Sequence, residues 1–202
     1  MRMTCAVSFA LTLVLVTAGV GLAGDPTDQL RRNADEVLNV VRSQREGATR
    51  RTEMRRIGTR LFDFEETAKR ALGPHWQQRA PAERAEFVTL FRDLLEAAYV
   101  GKIEKYEGEK IAYVGEAVEG DQATVKTRVV TKQGTEIPVD YRMLRESGDW
   151  RVYDVVIEGV SFVGNYRTQF NKIIQTSSYQ DLVKRLRAKD VSSAEGARGR
   201  RS

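Results

Sequence analysis

The chain predicts an α+β fold, a four-stranded twisted antiparallel meander packed with several helices around an apolar pocket. Three observations carry that reading. The apolar period is helical from about residue 25 to about 105 and changes to two from about residue 110. The period-two runs are joined by short glycine-containing turns, which suit a meander rather than long crossovers. Residues 150–157 are apolar on both faces, with Val152, Tyr153, Val155, Val156 and Ile157 in close succession. Such a strand lies between two apolar layers and not against water.

The first segment is expected to be a leader rather than part of the fold. Arg2 is a short basic start, residues 6–20 are largely apolar and uncharged, and Gly21-Leu22-Ala23 presents small residues before Gly24. This is the pattern of a cleaved secretory signal peptide over residues 1–23, and the apolar run is shorter than the roughly 20 residues a spanning helix needs. Cys5, the chain's one cysteine, falls inside it. The mature chain therefore has no thiol for a disulfide, a metal site or a nucleophile. What remains, residues 24–190, is long enough for one domain with a substantial core.

The helical part opens at residues 25–46, where Asp25-Pro26 suits an N-cap and first turn, Leu30, Ala34, Val37, Leu38 and Val41 mark one face, and Gly47 is expected to end it. Residues 50–72 are expected to be helical with a break near Gly58, and Asp63 with Glu66 has the spacing of a capping box. Gly73-Pro74 stops that helix, and His75-Trp76 forms a short connector. Pro81 opens the longest helix, residues 81–105, on which Phe87, Leu90, Phe91, Leu94, Leu95, Ala98, Tyr99 and Ile103 form a broad apolar stripe.

The strands follow. Ile111 to Val114 start the first, and turns at Glu119-Gly120-Asp121, Gln133-Gly134 and Ser147-Gly148-Asp149 separate it from runs at residues 123–130, 137–144 and 150–157. Pro138 is expected at an edge or a bulge, because it lacks a ladder donor. After Gly159 the period returns to helical, with Phe162, Tyr166, Phe170, Ile173 and Ile174 on one face. Ser178 with Asp181 suggests a cap for a last helix carrying Leu182, Val183 and Leu186. Residues 191–202, rich in Ser, Gly, Ala and Arg, are expected to be a disordered basic tail.

Charge and motifs exclude several functions. Lys and Arg number 33 against 28 Asp and Glu, a net charge of +5, with a concentration near the end at Lys184, Arg185, Arg187 and Lys189. Export argues against nucleic acid and points to anionic lipid head groups or an acidic protein partner. His75 has no Cys and no second His to complete a metal or nucleophile set. Gly159 and Gly164 do not form a phosphate-cradling loop. Asp154 and Glu158, spaced by four on an apolar strand, are expected on one face, paired at a rim with Arg142, Arg151 or Arg167. The alternative is a small-pocket enzyme acting on a hydrophobic substrate, with Asp154 or Glu158 as base and Tyr141 or Tyr153 as donor.

Two stretches carry a family resemblance. One is Asp63-Phe64-Glu65-Glu66 followed by Ala71-Leu72-Gly73 and Trp76. The other runs from Trp150 through Tyr153-Asp154-Val155-Val156-Ile157-Glu158-Gly159-Val160-Ser161 to Asn165-Tyr166-Arg167-Thr168-Gln169-Phe170. With Ser178-Tyr179 and the last helix, the chain resembles the MlaC-type periplasmic phospholipid-binding proteins, also called the toluene-tolerance family. The resemblance covers about residues 25–189. One departure is Ala80 before Pro81, where a Ser or Thr cap belongs; the long helix should start less firmly for it.

The resemblance implies a monomeric carrier in the Gram-negative periplasm, with phospholipid as cargo and no cofactor, metal or catalytic residue. It implies exchange with an inner-membrane ABC transporter bearing an MCE-domain subunit and with an outer-membrane lipoprotein–porin complex, maintaining outer-membrane lipid asymmetry. Alternation and helical spacing place Phe91, Leu94, Leu95, Ala98 and Tyr99 on the long helix and Val125, Val139, Tyr141, Met143, Val155 and Ile157 on the sheet as the lipid-binding wall. Val160 and Phe162 are expected to close one end.

The leader generates the first prediction. Intact mass of the secreted protein should correspond to a start near Gly24, and electrophoretic mobility should not change with reductant. A major species that retains Cys5 would overturn it.

Overall fold

A computed structural model describes residues 25–43, 47–103 and 108–188; the expected leader and basic tail lie outside them. Helix α1 spans Pro26–Arg42, α2 Gly47–Leu61 and α3 Phe64–Leu72. A 3-10 turn, Gly73–Gln78, leads to α4, Pro81–Ile103. The strands are β1 Lys110–Glu119, β2 Gln122–Val130, β3 Glu136–Glu146, β4 Asp149–Ile157 and β5 Val160–Ser161, followed by α5 Phe162–Thr176 and α6 Tyr179–Arg187. The sheet is an antiparallel meander in sequence order, and it has five strands rather than four because Val160 and Ser161 pair back on Ile157 and Val156.

Caps decide where the helices begin. Asp25 accepts from the Thr27 N–H at 2.8 Å, with Pro26 next to it where a missing donor costs nothing. α1 ends at Arg42, and Gly47 opens α2 instead of closing α1. The expected break at Gly58 is also absent: α2 runs through it to Leu61, since a lone glycine lowers helix stability by about 1 kcal/mol but does not stop a helix held by tertiary contacts. The break falls at Phe62-Asp63. There Asp63 accepts from the Glu66 N–H at 2.9 Å, and its own N–H donates to the Val152 carbonyl at 2.9 Å. Half of the capping box is thus replaced by a bond to the sheet. Ala80 cannot cap α4 with its side chain, and Glu83 compensates by accepting from the Ala80 N–H at 2.9 Å.

The hairpin turns follow the twist of the strands. Ser147-Gly148 and Glu158-Gly159 have positive φ at both residues, as a two-residue type I′ loop requires. Pro138 lies in β3, an interior strand, and not at an edge. Its carbonyl accepts from the Glu158 N–H at 3.0 Å, one step beyond the last β3–β4 pair, Val139 with Ile157. The return bond that proline cannot make falls where β4 has already turned away, so no ladder donor is lost.

Apolar burial falls into three clusters, the smallest joining Val40 of α1 to Met54 and Ile57 of α2. The helical one joins Leu72, Trp76, Phe87, Phe91, Leu94, Tyr166, Phe170 and Leu182. Phe170 is fully buried and meets Phe91 and Phe87 edge-on, with ring centroids 5.2 and 5.6 Å apart. The sheet cluster joins Leu30 of α1 and Leu61 of α2 to Ala123, Val125, Met143, Trp150 and Val152. Register puts Val125, Val139, Tyr141, Met143, Val155 and Ile157 on that same face.

Two tyrosines, Tyr179 in the core and the half-buried Tyr141, give this packing a pH signature. Burial pushes the Tyr141 phenol up to about 12, and burial with the neighbouring Glu83 and Glu86 carboxylates pushes Tyr179 up to about 12. The folded state holds these protons longer than the unfolded chain does. Stability should therefore be indifferent to these groups below about pH 10 and fall as pH rises from about 10 towards 12. Phenolate absorbance of the native protein should lag that of the denatured chain, and Tyr179→Phe should remove one late-titrating group. Coincident native and denatured curves would refute this.

Candidate functional site

The outer edge of β4 is covered at both ends and open between them. At one end Val156 and Ile157 pair with β5; at the other, Val152 bridges to Phe62. Tyr153, Asp154 and Val155 lie in the gap. A bulge sits here as well, between the pairs Met143–Val152 and Arg142–Asp154, so Tyr153 is an extra residue in the strand. An open strand edge must satisfy its backbone some other way. A helix does this: the one proton of the Thr67 hydroxyl of α3 is shared between the Asp63 carbonyl at 2.6 Å and the Tyr153 carbonyl at 3.0 Å.

The side chain of Asp154 performs the same task for α5. One oxygen accepts from the Val163 N–H at 3.0 Å, the other from the Ser161 hydroxyl at 2.6 Å and from Arg142 at 3.2 Å. Ser161 in turn caps α5 by accepting from the Gly164 N–H at 2.9 Å. A Cβ on Gly164 would lie 3.2 Å from that hydroxyl oxygen, so the glycine leaves room for the cap. The Asp154 side chain is 2% exposed. Its negative charge at the N-terminus of α5 is favoured by the helix dipole.

Where the edge is open, an apolar cavity of about 40 Å³ lies among β4, α4, α5 and the α2–α3 junction. Its walls are Tyr153, Asp154 and Val155 of β4, Phe91 and Leu95 of α4, Phe162, Val163 and Tyr166 of α5, and Phe62, Phe64 and Thr67. Thr67 and Asp154 turn their polar atoms to the helix and strand bonds just described, so the remaining wall is aromatic and aliphatic. That arrangement suits an apolar group and offers it no reactive atom.

The sequence-expected wall residues are distributed over three places. Phe91, Leu95, Val155 and Phe162 line the cavity. Leu94 is one residue round the helix, inside the helical cluster, while Tyr99 stacks on Phe162 at 4.8 Å and Ala98 is half-buried. Val125, Val139, Tyr141, Met143 and Ile157 belong to the sheet face. Val160, expected to close one end, is 54% exposed in β5. Phe62, Phe64, Thr67, Tyr153, Val163 and Tyr166 complete the wall without having been singled out for it. The two phenylalanines flanking the Asp63 cap were the available signal, since a cap between two large apolar residues marks a junction pressed onto another element.

Of the alternative catalytic residues, Tyr153 and Asp154 both line the cavity, but the Asp154 oxygens are occupied by Val163, Ser161 and Arg142. Asp154 is committed to α5, whereas Glu158 is exposed in the β4–β5 turn at φ 51°, so the two do not share a strand face as their spacing suggested. His75 contacts the Asn171 side chain at 2.9 Å. Among the described residues, no group of three or more His, Cys, Asp or Glu is placed to hold a metal ion, and no helix is long and apolar enough to cross a membrane.

The model of the MlaC protein family matches residues 31–188. The intermembrane phospholipid transport system binding protein MlaC of Haemophilus influenzae is 23% identical over 189 residues, covering 89% of this chain and 88% of that one. Toluene tolerance protein ttg2D of Pseudomonas putida is 24% identical over 135 residues, 66% of this chain and 62% of its own. In fold, the chain is similar to a phospholipid-binding protein from Ralstonia solanacearum solved in complex with a phospholipid. The TM-score is 0.74 and the identity 22%, with 83% of this chain and 97% of that chain covered.

The cavity wall depends on the Asp154 cap. Asp154→Ala should lower stability by about 3 kcal/mol, because buried donors lose a charged acceptor. Ser161→Ala should cost about 1 kcal/mol. Urea unfolding midpoints measure both, and equal losses would contradict the primary role given to Asp154.

Proposed function

The chain belongs to the MlaC family, and from that membership we propose that it is a periplasmic phospholipid carrier. It shuttles lipid between an inner-membrane ABC transporter with an MCE-domain subunit and an outer-membrane lipoprotein–porin complex, and so maintains outer-membrane lipid asymmetry. It works as a monomer, without cofactor, metal or catalysis. The observation that carries the reading is the family match across nearly all described residues, to relatives whose names state phospholipid transport and toluene tolerance. The apolar cavity at the open edge of β4 supplies a site of matching chemistry.

Physical magnitudes support a carrier of this kind. Two acyl chains of roughly 30 methylene groups would cost about 24 kcal/mol to bring into water, at about 0.8 each. A soluble carrier must cover nearly all of that surface. It need not gain the whole sum, since lipid leaves one apolar phase for another, and near-balanced exchange keeps transfer reversible. A cavity of about 40 Å³ has room for only a few waters' worth of acyl chain. Loading therefore requires α4 and α5 to part from β4 along the wall formed by Leu95, Phe162 and Val155. The wall's apolar contacts are non-directional and can re-form around a chain, while the Asp154 and Thr67 bonds keep the helices registered on the strand.

Organic-solvent extraction of the purified protein should release about one phospholipid per chain, identified by mass spectrometry. Val155→Asp puts a charge on the cavity wall, which a bound acyl chain would desolvate. That variant should keep its helical circular dichroism and lose co-purified lipid. Wild-type protein with no lipid, both as purified and after incubation with phospholipid vesicles, would end the carrier reading.

A further inference from the structure

Positive charge is segregated at the end of the chain. Residues 159–202 carry nine Lys and Arg against three Asp and Glu, a larger excess than the net +5 of the whole chain. Helix α5 contains Arg167 and Lys172 and no acidic residue, and α6 contains Lys184, Arg185 and Arg187 against Asp181 alone. All five cations are exposed, on two helices that pack against each other. Beyond α6 the sequence adds Lys189, Arg198, Arg200 and Arg201.

Most of these cations also lack a counter-charge. Arg187 pairs with Glu86 of α4, whereas the side chains of Arg167, Lys172, Lys184 and Arg185 make no ion pair or hydrogen bond with a described residue. Elsewhere on the surface Arg55 pairs with Glu96, Arg56 and Arg60 with Glu36, and Arg145 with Asp121. The apolar residues of α5 and α6 turn inward. Among the described residues the large exposed hydrophobics are Ile103, Val114, Val118 and Val160, and none lies on either helix. A specific protein partner is held chiefly by buried aromatic or apolar anchors. This face offers none, and its charges are spread along about 22 Å of α5 and about 14 Å of α6. Such a surface fits a plane of diffuse negative charge better than a shaped site.

We propose that the exposed face of α5 and α6 docks the protein on the surface of a bilayer that contains anionic lipid. The contact is with the membrane's outer charge, not with a molecule in the cavity, so it does not rest on the carrier reading. Each cation near an anionic surface adds to the attraction, which decays within a Debye length. Docking is therefore reversible and weakens with salt. Because α5 also gives Phe162, Val163 and Tyr166 to the cavity wall, the docking helix and the cavity share one element.

The test sediments full-length processed protein with vesicles of phosphatidylcholine, alone or mixed with phosphatidylglycerol. At low salt the wild type should bind the mixed vesicles about a hundredfold more tightly than the neutral ones, and should lose that preference near 0.5 M salt. K172E/K184E/R185E should lower binding to mixed vesicles at least about tenfold while circular dichroism matches wild type. R32E/R51E/K110E makes the same change in net charge at exposed positions elsewhere and should bind as wild type does. Equal losses in the two triple variants would assign binding to net charge and overturn the docking face. So would wild-type binding that is indifferent to lipid charge or to salt, whatever the variants do. Binding to polyglutamate with none to the mixed vesicles would assign the face to an acidic protein and overturn the membrane proposal. Lipid released by solvent extraction is a separate readout: its absence from wild type ends the carrier reading and leaves the vesicle result standing.

Discussion

An unpaired strand edge is the constraint on which this structure turns. β4 has β3 on one side and, on the other, a partner only at its two ends. Backbone groups in the middle need partners, and buried polar groups without them are costly. Thr67 answers that need at the strand backbone, while the Asp154 side chain answers the matching need of the α5 N-terminus. Thr67 brings α3 to the Tyr153 carbonyl, and the Asp154 side chain brings the α5 N-terminus to the strand. Directional bonds thus fix the helices on the strand alongside their side-chain packing, and the cavity lies between those attachments.

The two larger apolar clusters play different parts around that edge. The helical cluster is closed by interlocking aromatic rings, with Phe87, Phe91, Tyr166 and Phe170 in mutual contact, and holds α4, α5 and α6 as a unit. The sheet cluster clamps α1 and the end of α2 onto the face containing Val125, Met143 and Val152. β4 gives Trp150, Val152 and Val155 to the sheet cluster and Tyr153 and Val155 to the cavity wall, so apolar residues are needed along both of its faces. Phe91 and Tyr166 belong to the helical cluster and to the cavity wall at once. A change in the cavity is therefore transmitted directly to the packing of α4 against α5.

Charge is arranged to the same end. Asp154 is buried, and the energetic demand of burying it is met by two neutral donors and one partly exposed arginine. The carboxylate is thereby spent on architecture.

Local chemistry was legible in the sequence wherever one residue type meets one geometric demand. Asp25-Pro26, Asp63 and Ser178 start helices where they stand because a short polar acceptor satisfies free N–H groups within three residues. The meander was legible from alternation and turn glycines, as was the shared face of Val125, Val139, Tyr141, Met143, Val155 and Ile157. The run from Val152 to Ile157 announced a strand covered on both sides, and the match over residues 31–188 places the family resemblance drawn from Asp63 and from residues 150–170 on the same chain. Misplaced features depended on longer-range contacts. A break at Gly58 was reasonable by propensity, but Ile57 and Leu61 are buried and carry the helix through it. Asp154 and Glu158 separated because β4 ends at Ile157 and Glu158 lies in a positive-φ turn, outside the period of two that spacing assumes. Beyond Phe91, Leu95, Val155 and Phe162, the wall of the cavity was decided by tertiary structure. Whether Phe62, Phe64 or Val163 faces a core or a gap depends on which stretch of β4 lacks a partner, and strand pairing is a relation between distant segments that no local pattern encodes.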